Sequence, residues 1–95
     1  VYIPNAFTPE IDGEQDRIND TFHPVIGGAI VEAYQLHIYD RWGKRLFTSE
    51  DETLGWNGRF NERAIPSDIY VYTLTFTTKG LTFLHRYNGR ITVVR

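Results

Sequence analysis

The stretch at residues 69–78 constrains the fold more than any other. Tyr70, Tyr72, Leu74 and Phe76 fall on one side of an extended chain, and Ile69, Val71, Thr73 and Thr75 on the other. Side chains alternate across a strand with a period of two. Aromatic and β-branched residues on both sides are the composition of a central strand, with a sheet partner on each flank. No segment of the chain shows a competing helical period.

Other segments repeat the alternation between turn signals. Leu36, Ile38 and Asp40 oppose Gln35, His37 and Tyr39 after a lead-in from Val31. Arg41-Trp42-Gly43 then reads as a hairpin turn with its glycine at positive φ, and residues 44–48 return extended. Asn57-Gly58, Pro66-Ser67-Asp68 and Lys79-Gly80 are further turns. Residues 81–87 form a returning strand, which Asn88-Gly89 is expected to interrupt as a bulge or kink. Residues 91–94 complete a last strand, and residues 1–3 supply the first. Six or seven short strands with frequent turns predict an all-β chain folded as an antiparallel β-sandwich.

Ninety-five residues make one domain, residues 1–95, with a thin core. Val1 at the start and the absence of methionine read as a piece of a longer polypeptide. With no cysteine there are no disulfides, thiolate metal sites or cysteine nucleophiles. No apolar run approaches the ~18 residues of a membrane span, and no signal peptide is visible, so a secreted parent would carry its signal peptide elsewhere. The net charge of −2 gives nucleic acid no purchase. Its distribution is uneven: Lys79, Arg86, Arg90 and Arg95 follow the last acid, Asp68.

Residues 8–24 lack regular pattern and are too long for an ordinary connection. Glu10, Asp12, Glu14, Asp16 and Asp20 crowd there against Arg17 alone. The plain reading is a solvated loop held by local Asx hydrogen bonds. The functional reading is a calcium loop with Asp12, Asp16, Asn19 and Asp20 as oxygen ligands, since calcium takes about six to eight such donors. The spacing is not that of an EF-hand.

Trp42 and Trp56 read as plugs at the ends of the sandwich, or alternatively as a sugar-stacking platform. His23, His37 and His85 stand apart, with no paired spacing for zinc. Ser49 and Ser67 lie in no nucleophile motif. The acidic residues have no visible pocket to shift their ionisation, and the chain reads as a non-enzyme. Arg86, Arg90 and Arg95 read as charges that keep an edge strand from aggregating, or as a face that recognises a partner.

Six phrases in order carry a family resemblance. They are Pro4-Asn5-Ala6-Phe7-Thr8-Pro9, Ile18-Asn19-Asp20-Thr21-Phe22, Ile38-Tyr39-Asp40-Arg41-Trp42-Gly43 and Gly55-Trp56-Asn57-Gly58. Ile65-Pro66-Ser67-Asp68-Ile69-Tyr70-Val71-Tyr72 and the closing Tyr87-Asn88-Gly89-Arg90-Ile91-Thr92-Val93-Val94-Arg95 follow. Over nearly its whole length the chain resembles the gliding-motility-associated C-terminal domain of Bacteroidetes, the type B sorting domain of the type IX secretion system. Two departures stand out. The acidic loop is longer and less glycine-rich than the family's Pro-Asn-Gly-Asp-Gly, and Asp68 and Glu62 stand where glycine is common. Asp68 is compatible with a left-handed turn position.

The resemblance implies an immunoglobulin-like sandwich at the C-terminus of a secreted protein. It also implies export through the periplasm, residence outside the cell or on its surface, and the outer-membrane type IX machinery as partner. Arg86, Arg90 and Arg95 are then the candidate recognition residues, and a monomer is the expected state. Two alternatives come from other classes: an adhesion or glycan-binding accessory module, and a calcium-stabilised spacer.

Overall fold

A computed structural model describes residues 1–7, 21–27, 30–61, 63–80 and 84–94. Seven strands follow in chain order: β1 (Ala6–Phe7), β2 (Val31–Tyr39), β3 (Arg45–Ser49), β4 (Arg59–Phe60), β5 (Arg63–Ala64), β6 (Asp68–Thr78) and β7 (His85–Val93). They form a five-stranded sheet in the order β1-β7-β6-β2-β3 and a two-stranded hairpin, β4-β5. No helix occurs among the described residues. The architecture is an all-β sandwich.

β6 is the central strand, paired antiparallel with β7 on one flank and β2 on the other. Its alternation is complete: Tyr70, Tyr72, Leu74 and Phe76 are buried, while Val71, Thr73 and Thr75 are half-buried on the outward face. In β2 the buried set is Tyr34, Leu36 and Ile38. A bulge between Glu32 and Gln35, with Ala33 at φ 53°, resets the alternation of β2 against β6.

The inner face of the sheet carries an aromatic core. Phe22 and Trp56, both wholly buried, bridge each other through backbone hydrogen bonds of 2.8 and 3.0 Å and lie over β6. The ring of Phe22 is 5.5 Å from Tyr72, and that of Trp56 is 5.6 Å from Tyr70 and 5.5 Å from Phe7. The Trp56 indole N–H donates to the Arg59 carbonyl at 3.1 Å, so the one polar atom of the side chain is satisfied. Ile65 joins the cluster, and its amide donates to the Gly58 carbonyl.

Gly43, Gly58 and Gly80 take positive φ, as the turn motifs predict. Other features differ from the sequence expectations. The first strand is Ala6–Phe7, while at residues 1–3 Tyr2 makes only an isolated bridge to Val25. Pro4, without an N–H, separates the two pairings. β1 runs parallel to β7, with Ala6 beside Thr92 and Phe7 beside Val93, in a sheet otherwise antiparallel.

Asn88-Gly89 does not break the last strand: β7 runs unbroken, and Gly89 pairs with Tyr72. The glycine makes room for the tyrosine ring instead. Asp68 is not in the left-handed region, where the described non-glycine residues are Ala33 and Asn61. It opens β6, its carboxylate accepting from the Ile69 amide at 2.7 Å.

Candidate functional site

The outward face of the large sheet is assembled by strand register. Arg90 on β7 pairs with Val71 on β6, Val71 with Tyr39 on β2, and Tyr39 with Arg45 on β3. The next row outward is Asn88, Thr73, His37 and Thr48, and beyond it Arg86, Thr75 and Gln35. Arg86 and Arg90 therefore share one face of β7, about 13 Å apart along the strand, and both are exposed. The outward acid on the described strands of this face is Glu32, at one end, while Asp68 opens β6 at the other end beside the face. Between them the face is cationic on a chain whose net charge is −2.

Arg41 and Trp42 stand at the β2–β3 turn beside this face. Asp40 builds the turn: its Oδ1 accepts from the amides of Trp42 and Lys44, both at 2.9 Å, and its own amide donates to the Lys44 carbonyl. Gly43 closes it at φ 89°. So fixed, Trp42 projects outward and is 80% exposed. Its expected role as a core plug is corrected, because the turn points it away from the sheet's inner face. Trp56 takes the buried role alone.

The Arg41 guanidinium carbon lies 5.3 Å from the centre of the Trp42 ring, and its Nη1 is 3.4 Å from Asp68 Oδ2. Arg41, Asp68, Ile69, Val71 and Arg90 line an open groove of about 290 Å³.

Asp12, Asp16, Asn19, Asp20 and Arg95 lie outside the described residues. Among the described residues no group of three or more His, Asp or Glu side chains gathers as for a metal ion. The three histidines are dispersed: His23 bonds the Glu52 carbonyl, His37 the Thr48 hydroxyl, and His85 stacks on Phe76. Ionisations are perturbed away from the outward face, burial raising Tyr72 among them. Burial, with Glu52 and Asp51 nearby, pushes Tyr34 up to about 12. The hydroxyl and amide of Thr53 hold the Asp51 carboxyl below its usual value.

Residues 1–93 match the family model of the CHU_C type IX secretion signal domain. The chain belongs to that family. No curated protein and no solved structure matches it. A type IX secretion signal domain is not a catalytic module: it marks its protein for export to the cell surface or the medium, which implies contact with the secretion machinery. No helix among the described residues is long and apolar enough to cross a membrane.

Within this type IX secretion signal domain, β7 is not the simple edge strand of the sequence reading. It lies between β6 and β1, although β1 reaches only Thr92 and Val93. Arg86 and Arg90 therefore rise from a sheet face. The Arg41–Asp68 pair was missed because its partners are 27 positions apart. The Asp40 turn had a local signal, an Asp preceding Trp-Gly, of the kind that bonds backbone amides two and four residues on.

Proposed function

We propose that this domain is a C-terminal address read by the outer-membrane translocon of the type IX system. It performs no chemistry of its own. The family match over residues 1–93 carries this reading. The outward face of β7, with Arg86 and Arg90 exposed, supplies the recognition surface. A fixed sheet face suits such a role, since side chains held at strand spacing present one charge pattern without an ordering cost at the moment of contact. Charges of this kind govern encounter and partner discrimination more than affinity.

The test is export of a reporter carrying this domain at its C-terminus, in cells with the type IX machinery. Arg86→Glu/Arg90→Glu is compared with the wild-type sequence, after equal melting temperatures are verified for both purified domains. The double variant is expected to leave the reporter in the periplasm. Undiminished export would remove the two arginines from the recognition surface.

The exposed Trp42 beside a groove favours a second capacity, sugar binding.

A further inference from the structure

We propose that the groove between Arg41 and Arg90 binds a carboxylate-bearing sugar, a hexuronate unit of an acidic polysaccharide. The groove has a floor, a rim and a wall of different chemistry. Ile69, 47% exposed, and Val71 form an apolar floor on the outward side of β6. Arg41 and Arg90 stand on the rim. Trp42 lies next to the groove rather than in its lining, its ring centre 5.3 Å from the Arg41 guanidinium carbon. The groove volume of about 290 Å³ lies at the small end of ligand pockets, ~300–1,000 Å³, as suits one ring.

Each part selects a feature of the ligand. A planar guanidinium fork matches a carboxylate with two parallel hydrogen bonds. Arg90 has no ion pair among the described residues, so its fork is available. Arg41 is pinned by the Trp42 ring on one side and a long 3.4 Å contact to Asp68 on the other, and remains 60% exposed. These contacts narrow its range of orientations, which lowers the ordering cost of binding. The apolar floor offers packing to the C–H face of a pyranose ring, and the indole supports the Arg41 guanidinium beside it.

Asp68 decides between anions. A carboxylate in the groove wall repels a dianionic phosphate or a dense run of acidic side chains, because like charges at this range are unfavourable. The same carboxylate accepts hydrogen bonds from sugar hydroxyls. A singly charged, hydroxyl-rich ring satisfies both guanidiniums and Asp68 together. A protein exported to the cell surface or the medium meets such polysaccharides directly.

The experiment titrates the purified 95-residue chain with trigalacturonate, galactotriose, inorganic phosphate and hexaglutamate. Binding is followed by calorimetry and by the emission of Trp42, the exposed tryptophan. Trigalacturonate is expected to bind and shift that emission to the blue, with each of the other three at least about tenfold weaker. Arg90→Gln is expected to weaken trigalacturonate about 10–100-fold, as loss of a charged hydrogen-bonded partner does. Trp42→Ala should also weaken it. Arg86→Gln, on the same face outside the groove, should change it less than about twofold.

No binding of trigalacturonate would overturn the proposal. So would equal binding of phosphate or hexaglutamate, or an Arg86→Gln loss as large as that of Arg90→Gln, because either marks a non-specific cationic face. The result is separable from the sorting role, since sugar binding is read on the isolated domain and sorting in cells. Trp42→Ala should export normally.

Discussion

The ring of Tyr72 lies across Gly89 of the neighbouring strand: a β-carbon on that glycine would stand 2.9 Å from the tyrosine oxygen. Tyr72 has little freedom to withdraw, being 9% exposed with its ring 5.5 Å from that of the buried Phe22. Gly89→Ala is expected to destabilise the domain by ~1–3 kcal/mol, the usual cost of overpacking.

Gly55 poses the same question with a harder obstacle. A β-carbon there would meet the Phe22 backbone carbonyl at 2.8 Å, and that carbonyl accepts the Trp56 amide. A tilting ring relieves a clash more readily than a paired backbone does. Gly55→Ala should therefore lie at the upper end of the same ~1–3 kcal/mol range and exceed Gly89→Ala. Urea unfolding of both variants checks the order.

Two buried tyrosine hydroxyls should respond oppositely to removal. Tyr70 donates to the Pro66 carbonyl at 2.8 Å and so ties the start of β6 to the preceding turn. Tyr70→Phe should cost ~0.5–1.5 kcal/mol. The hydroxyl of Tyr34 is buried with no hydrogen-bond partner among the described residues. Tyr34→Phe should be neutral or stabilising, because it removes a desolvated polar atom. Thermal melts resolve the difference, at about 4–8 °C per kcal/mol for a domain of this size.

The same Tyr34 makes an alkaline prediction. Its folded value is raised to about 12, above the ordinary tyrosine value near 10. Between these values the folded state holds a proton that the unfolded state has lost. The contribution is complete below pH ~10 and disappears as pH rises through the folded value. Burial raises Tyr72 as well, adding to the trend. Wild-type stability should fall above pH ~10, and Tyr34→Phe should make that fall shallower.

The two tryptophans separate core from surface. Trp56→Ala should cost ~3–5 kcal/mol, close to the whole stability of a marginal domain, ~5–15 kcal/mol. Trp42→Ala should stay within ~0.5 kcal/mol of wild type. Circular dichroism melts of both variants test the pair.

Much of the fold was legible because it is written locally. Tyr70, Tyr72, Leu74 and Phe76 declare β6 by period alone, and Leu36 and Ile38 declare β2. Gly43, Gly58 and Gly80 mark turns because few residues accept positive φ. The fates of Trp42 and Trp56 were not legible, since both sit beside turn glycines. Only the pairing of Trp56 with the distant Phe22 decides which is buried. Gly89 was misread for a similar reason: a glycine in a strand suggests a bulge as readily as a close approach, and the approaching ring belongs to another strand. The groove joins Arg41, Asp68 and Arg90 through sheet register, which no spacing in the chain reveals. Arg86 and Arg90, the arginines proposed for recognition, were visible by charge, but their common face emerged only with the continuous β7.

Export is the decisive test of this domain as an address. Residues 1–95 are fused to the C-terminus of a periplasm-directed fluorescent reporter and expressed in cells with and without a working type IX translocon. Reporter is expected on the surface or in the medium only when the translocon works. Folded reporter retained in the periplasm of both strains, or released equally by both, would contradict the address role.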